Sequence, residues 1–569
     1  MPFTPPVSEF CFLFDHVAKI APLQATARFR DTTGDVIQAV LTEAGRLCAD
    51  VLEPMRRPGD LSPARLENGI VSTAPGTRAA YRKMAEGGWI CVSAPESHGG
   101  MALPVTLQAA IGDMMSAANL GLQTCAVLSQ GQIEAIDAHA APALKDLYLP
   151  KLISGAWSAT MNLTEPQAGS DVGALTTRAV PKGDGTYRIT GTKIYITYGD
   201  SDLVDNVVHL VLARLPGAPA GTKGISLFLV PKRLPDDAGL PGAANALGVR
   251  SVEHKMGLHA SPTCVMEYDG ATGWLVGAEN GGMAAMFTMM NNARLGVACQ
   301  GVGTAEGATQ AALAWALERR QGRTPTGDGA GPIADHADVR RMLAQMRAET
   351  FAARALALNC AIAIDMTTAT GAPEWVDRAA FLTPIAKAYG TDIGNEVAHL
   401  AIQVHGGMGY VEETGVAQFA RDVRVTSIYE GTNGIQAMDL VGRKLSDKGE
   451  AAFRLLEEVE AGAEAARAVH GTLASPVWQA AEDLRETTEW LLAHDAQDRF
   501  AGATSYLRAF ARVLGAQYHL TAACVDSARA PLAAFYIERL LPEYVGHIAQ
   551  ARAGASGLYE VTTDALVAA

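Results

Sequence analysis

Apolar positions in the first third of the chain recur at helical spacing. Val36, Ile37, Val40, Leu41 and Leu47 fall on one side of a 3.6-residue repeat, and the pattern predicts a helical domain over 36–155. Gly87-Gly88 and Gly99-Gly100 punctuate it. Near residue 156 the period changes. Tyr187 to Thr190, Lys193 to Thr197, Val207 to Leu212 and Ile225 to Val230 are short β-branched or aromatic runs separated by Gly/Pro/Asp turns, which predicts an antiparallel β domain over 156–275. Long patterns rich in Ala, Leu, Arg and Glu then predict a helical bundle over 280–445, interrupted by a Gly/Pro/Asp-rich loop at 322–334. Residues 446–569 read as an additional helical domain. Residues 1–35, with prolines and Phe10, Phe12 and Phe14, read as an arm that packs on something else. The expected fold is thus α+β and multidomain: helices, sheet, helices, and an extra helical block.

A chain of 569 residues exceeds what one core usually serves, in keeping with several domains. The formal net charge of -14 disfavours nucleic acid as a partner, since an acidic surface repels phosphate backbones. It leaves a phosphorylated cofactor open, because a few cations and helix N-termini can hold one. The 8 cysteines show no C-x-x-C spacing and predict buried thiols rather than disulfides. Glu9 and Asp15 stand where a secretory signal needs a basic start and an apolar run. Apolar stretches such as 355–364 are too short to span a bilayer, so a cytoplasmic protein without a membrane span is expected. No G-x-G-x-x-G follows a strand, and P-loop, H-E-x-x-H and G-x-S-x-G motifs are missing. No metal is expected: His254, His259 and His405 lack a second ligand at metal spacing and read as packing or turn residues.

Three segments carry candidate chemistry. In Met161-Asn162-Leu163-Thr164-Glu165-Pro166-Gln167-Ala168-Gly169-Ser170-Asp171, two hydroxyls flank a turn set by Pro166 and Gly169. Such a turn can satisfy the carbonyls and ring nitrogens of a planar heterocycle, or simply cap an element. In Lys193-Ile194-Tyr195-Ile196-Thr197, strand alternation puts an aromatic ring and a hydroxyl on one face, able to back a flat ring and donate to it; an ordinary strand reads the same. In Tyr429-Glu430-Gly431-Thr432-Asn433-Gly434-Ile435-Gln436, a carboxylate precedes a glycine turn and an apolar helix. Glu430 is either a capping or solvated residue, or a general base whose pKa rises when an apolar substrate excludes water.

Taken in order, these segments, with Arg294 entering a long helix, Glu318-Arg319, Gln403-Val404-His405-Gly406-Gly407-Met408-Gly409-Tyr410 and Arg421-Asp422, resemble the acyl-CoA dehydrogenase family over most of the chain. The resemblance implies FAD held between the sheet domain and the C-terminal helices. Met161, Leu163, Thr164, Gly169 and Ser170 would meet the flavin or its ribityl chain. Tyr195 stands where the family usually has Trp, with Ile196 beside it and Thr197 near flavin N5. Arg319, Gln403, Gly406 and Gly407 would hold the pyrophosphate and adenosine, typically across a subunit interface, and Thr432 would also reach the pyrophosphate. Ser170, Asn291, Arg294 and Gly431 would bind substrate.

The implied reaction is an α,β-elimination on an acyl-CoA thioester, giving the trans-2-enoyl product. Glu430 takes the α-proton, the β-hydrogen leaves as hydride to flavin N5, and the Glu430 NH with a ribityl hydroxyl polarises the thioester carbonyl. Some relatives carry the base just before the arginine matching Arg294; here Asn291, Asn292 and Ala293 offer no carboxylate, which points to Glu430. The family's E-R-x-x-F-G reads Glu318-Arg319-Arg320-Gln321-Gly322-Arg323, without the Phe, and the S-D-T turn reads Ser261-Pro262-Thr263.

The extended ends resemble the long bacterial subgroup that includes methylmercaptopropionyl-CoA and broad-range fatty acyl-CoA dehydrogenases. That subgroup implies a homodimer, with electron-transferring flavoprotein as acceptor. Two alternatives share the fold: an acyl-CoA oxidase, and a flavin-bearing nucleic-acid binder. The binder requires a basic C-terminal block, whereas 446–569 is richer in Asp and Glu, including Glu457-Glu458-x-Glu460.

Overall fold

The computed structural model describes residues 3–325 and 329–567. Residues 326–328 of the expected 322–334 loop, the first two residues of the arm and the last two of the extra block lie outside them. The chain forms two compact units: one holds Leu41–Gly296, the other Pro6–Val40 and the residues from Val297 onward.

In the first unit, helices Glu53–Leu61, Thr77–Glu86, Val105–His139 and Pro142–Ile153 precede the sheet. Val105–His139 is buried on every side from Thr106 to Ile133, with polar residues such as Gln108, Asp113 and Gln132 among the apolar ones. Its backbone breaks at Asn119, whose side chain repairs the break: Nδ2 donates to the Leu52 carbonyl at 3.0 Å and Oδ1 accepts from Leu122 NH at 3.1 Å. A hairpin, Arg65–Glu67 with Ile70–Ser72, was not expected in this helical region. Its Asn68-Gly69 turn has φ of 52° and 77°, the left-handed pair that a two-residue hairpin demands and an Asn-Gly dipeptide supplies.

The central sheet has seven strands. Thr263–Val276 lies between Leu247–Val252 and Tyr187–Thr197 and also pairs with Ile225–Pro231. Most neighbours pair antiparallel as expected, with two exceptions: Ser158–Asn162 and Arg178–Pro181 run parallel to Val207–Arg214. Alternation within a strand carries no information on pairing direction, and a parallel pair needs only a crossover long enough to return the chain. Val207–Arg214 and Ile225–Pro231 are buried almost throughout, as strands covered on both faces are.

The second unit is helical. Ala337–Thr370 and Pro373–His405 pack together, joined by Glu450–Ala493 and Ala496–Val525 of the extra block. The 355–364 stretch belongs to the 34-residue helix Ala337–Thr370 and is part of a longer apolar run than expected. That helix is long and apolar enough to cross a membrane, but 89% of its most apolar window is buried inside the fold.

The arm is made of short helices. Phe10, Leu13 and Phe14 are buried, the Arg354 guanidinium lies 5.0 Å from the Phe10 ring centroid, and that of Arg529 lies 3.7 Å from Phe12. What it packs on, left open by the sequence, is the chain's own C-terminal helices. The expected loop after Arg319 contains a short ladder, Arg320–Arg323 with Ala330–Pro332.

Buried ion pairs tie this unit together. Glu306 meets Arg354 at 2.9 Å and Arg347 at 3.0 Å. Burial alone would raise the Glu306 carboxyl, but the two guanidiniums hold it down at about 2. A depressed carboxyl stabilises the fold fully above its unfolded value of about 4.5 and loses that contribution as pH falls toward 2. Thermal midpoints followed by circular dichroism should therefore fall between those pH values, and Glu306→Gln should flatten that limb.

Candidate active site

The first unit brings the Met161–Ser170 segment against the Tyr187–Thr197 strand. Ile194 NH donates to the Thr164 carbonyl at 3.0 Å, and the Lys193 ammonium donates to the Leu163 carbonyl at 2.9 Å. Met161 and Leu163 pack, half-buried, on the apolar core beneath. The anchor is an ion pair that sequence reasoning passed over: Lys193 Nζ to Glu165 Oε1 at 2.8 Å, with Lys193 fully buried and Glu165 nearly so. The Glu165 carboxylate also accepts from the NH and hydroxyl of both Thr176 and Thr177, at 2.6–3.0 Å. Burial opposes its charge, yet Lys193 and these donors hold it down at about 2. Glu165 thus shapes the turn and is already fully committed.

The second motif departs from regular alternation. The ladder skips between Ile196 and Lys193, so Ile194 and Tyr195 form a bulge, and Tyr195 takes φ of 61°. Positive φ in an aromatic residue is costly and marks a built feature. Tyr195 is 62% exposed, whereas Ile196 is buried against the sheet core and does not present its side chain. Beside it, the hydroxyls of Thr164, Ser170 and Thr197 make no hydrogen bond among the described residues. An uncommitted aromatic face and three uncommitted hydroxyls suit a planar, hydrogen-bonding ring such as a flavin.

The second unit builds the Glu430 turn. Glu430 has φ of 57° and Gly431 of 79°, two consecutive left-handed residues. Gln436 Nε2 donates to the Glu430 carbonyl at 3.1 Å. The buried Lys387 ammonium, on helix Pro373–His405, donates to the Gly431 carbonyl and to Asn433 Oδ1, both at 2.9 Å. Tyr429 donates its hydroxyl to Gln300 Oε1, and burial, then the nearby Glu430 charge, pushes that hydroxyl up. Thr432 caps helix Asn433–Asp439, its Oγ1 accepting from Ile435 NH at 3.2 Å. Removing that cap in Thr432→Ala should cost about 1 kcal/mol, read as a lower urea midpoint. Lys387 and Gln436 carry the geometry of this turn: Gln436 closes the motif but was given no role in it, and Lys387 was missed, because it lies 44 residues from Gly431 and shares no motif with it.

Arg319, Gln403, Gly406 and Gly407 are all exposed, at the ends of helices Gly282–Glu318 and Pro373–His405. Trp315 stacks on His405 with ring centroids 5.0 Å apart, which brings these two helix ends together. Gly406 has φ of 63°, and added Cβ atoms at Gly406 or Gly407 would meet nothing within 4 Å, so the backbone there is open to a ligand. The Gly406 NH is taken by the Gln403 carbonyl at 3.0 Å, which leaves the open backbone at Gly407 and the exposed Arg319 as the groups here that suit a pyrophosphate.

Of the substrate candidates, Asn291 and Ser170 are exposed and Arg294 is buried. A carboxylate does stand beside the Asn291–Ala293 position, although not on that helix: Asn292 Nδ2 donates to Glu134 Oε1 at 2.6 Å.

The acyl-CoA dehydrogenase N-terminal, middle and C-terminal domain families match residues 38–156, 160–271 and 280–445, and the acetyl-CoA dehydrogenase C-terminal-like domain matches 455–562. The chain is 44% identical to 3-methylmercaptopropionyl-CoA dehydrogenase of Ruegeria pomeroyi, over 89% of this chain and 88% of that protein. It is 35% identical to the broad-specificity linear acyl-CoA dehydrogenase FadE5 of Mycobacterium tuberculosis, over 76% of this chain and 74% of that one. The fold matches Caenorhabditis elegans ACDH-11, solved with C11-CoA, with a TM-score of 0.83 at 20% identity, covering 99% of this chain and 95% of that one. The chain belongs to the acyl-CoA dehydrogenase family. It is an oxidoreductase with FAD as cofactor, and its reaction is the dehydrogenation of acyl-CoA.

Proposed function

We propose that Glu430 is the base that removes the α-proton of a bound acyl-CoA thioester. The observation that carries this is the left-handed Glu430-Gly431 pair, with each carbonyl held by a separate side chain. Strained backbone persists only where its surroundings over-determine it, and it concentrates where a side chain must be aimed. With both carbonyls occupied, the Glu430 NH is oriented by the same turn, in keeping with a role at the thioester oxygen, where donors stabilise enolate charge. FAD, when bound, accepts the β-hydrogen as hydride. The exposed Tyr195 ring and the free hydroxyls of Thr164, Ser170 and Thr197 hold its ring system, with Met161, Leu163 and Gly169 shaping the turn beneath. Arg319, Gln403, Gly406, Gly407 and Thr432 hold its phosphates and adenosine. Ser170, Asn291, Arg294 and Gly431 contact the substrate. Electron-transferring flavoprotein is the proposed acceptor, and the protein works as a cytoplasmic homodimer.

The test is anaerobic bleaching of flavin absorbance by a panel of straight-chain, aryl and methylthio acyl-CoAs, with 3-methylmercaptopropionyl-CoA included because a relative is named for it. Rapid bleaching by one class, retained in Glu134→Gln and lost in Glu430→Gln, is the expected result. Bleaching retained in Glu430→Gln and lost in Glu134→Gln would reassign the base.

A further inference from the structure

The side chains that hold the Glu430 turn do not end at Lys387. Asn433 Oδ1 accepts from Lys387 at 2.9 Å, and Asn433 Nδ2 donates to Asp392 Oδ1 at 2.7 Å. The other oxygen of Asp392 accepts from Arg508 Nη1 at 3.2 Å. Arg508 lies on helix Ala496–Val525, in the extra helical block, and its second amino group donates to Glu396. Its side chain is 19% exposed and Asp392's 27%, so water competes with the pair only in part.

This is an unbroken path from the extra block to the catalytic turn. Arg508 fixes Asp392, Asp392 fixes the Asn433 amide, and the amide leaves its oxygen facing Lys387. An Asn side chain has one acceptor end and one donor end. The same Nδ2 also donates to Thr391 Oγ1 at 2.9 Å and to the Ala388 carbonyl at 3.2 Å, so Asp392, at 2.7 Å, is the shortest and the only charged of three acceptors that set the donor end. If Asp392 turned away, the amide would be held by the two neutral ones. The Asn433 oxygen would then be less firmly set against the buried Lys387 ammonium beside Gly431. Charge is arranged along the same line: Lys387 is fully buried, and Asp392 lies one amide away from it. Arg508 in turn balances Asp392 and Glu396. The block is also clamped next to this point by Arg512, 1% exposed, which pairs with Glu349 and with Glu543.

We propose that Arg508 is a positioning residue for the reaction, and that the block 446–569 sets the geometry of the Glu430 turn through Arg508, Asp392, Asn433 and Lys387. The proposal rests on Glu430 being the base. It gives the extra block a role in catalysis beyond covering surface, and it acts on the chemical step rather than on CoA binding.

The experiment is rapid-reaction flavin reduction in the full-length FAD-loaded enzyme for Arg508→Gln, Arg508→Lys and Asp392→Asn. Arg485→Gln serves as control, since it breaks a 2.6 Å ion pair to Glu460 wholly inside the extra block. Arg508→Gln and Asp392→Asn should each slow the limiting reduction rate roughly 10- to 100-fold, the scale of an ångström-sized misplacement of a reacting group. The acyl-CoA concentration for half-saturation should stay within about 2-fold, FAD should stay bound, and Arg485→Gln should keep the wild-type rate. Arg508→Lys should recover part of the loss. In a Glu430→Gln background, Arg508→Gln should add no further loss, because two changes acting through one group are not additive. Wild-type rates in both Arg508→Gln and Asp392→Asn would overturn the proposal, as would an undiminished loss in the Glu430→Gln background. A Glu430→Gln variant that still reduces its flavin rapidly would overturn the base assignment itself, a separate result.

Discussion

Glu430→Gln should lower the rate of acyl-CoA dehydrogenation by about 10³- to 10⁴-fold, the upper part of the range for removing a positioned base. The amide has the same shape as the carboxylate, so the Glu430-Gly431 turn and its contacts to Gln436 and Lys387 should survive. What disappears is proton affinity at the side-chain oxygen. Substrate binding should change little, because the thioester's contacts to backbone NH groups are untouched. The loss should therefore fall on kcat, with KM near wild type, which marks an interaction made in the transition state. Steady-state turnover with an artificial electron acceptor measures both constants. A comparable fall in Glu134→Gln would instead point to the carboxylate beside Asn292.

Lys193→Met should be the most damaging single change to the fold of the β domain. It leaves the Glu165 carboxylate buried without its cation, a situation that costs about 3–5 kcal/mol. Four donors from Thr176 and Thr177 remain, so part of the charge stays satisfied and the variant should still fold at low temperature. Because Lys193 also holds the Leu163 carbonyl, the Met161–Ser170 turn should loosen and FAD affinity should fall together with the thermal midpoint. Calorimetry with and without added FAD separates the two effects: excess FAD should restore part of the midpoint, as ligand linkage requires.

The sequence made the order of domains, the family and the three motif segments legible, because each depends on local periodicity or on residues close together in the chain. The reading was less accurate where distant segments meet. The parallel pairing of Ser158–Asn162 with Val207–Arg214 leaves no mark in either strand's alternation. The Tyr195 bulge interrupts a run whose residue types favour a regular strand, so plain alternation does not describe the backbone there. Lys193 is paired with a carboxylate 28 residues away, and Lys387 with a carbonyl 44 residues away. A lysine inside an apolar run, as in Ile385-Ala386-Lys387-Ala388-Tyr389, is the one signal that could have drawn attention to the second. The Asn68-Gly69 hairpin carried a plain signal that the helical reading of 36–155 overrode.

The central claim is that Glu430 takes the α-proton, and proton removal can be observed apart from hydride transfer. A 3-thia-acyl-CoA has sulfur at the β position and so has no β-hydrogen to give up, while its α-hydrogens remain acidic. Incubated with FAD-loaded enzyme in deuterated water, it should lose its α-hydrogen signals in the proton spectrum at equal rates with the wild type and Glu134→Gln, and should keep them with Glu430→Gln. Exchange by Glu430→Gln at the wild-type rate would contradict the account.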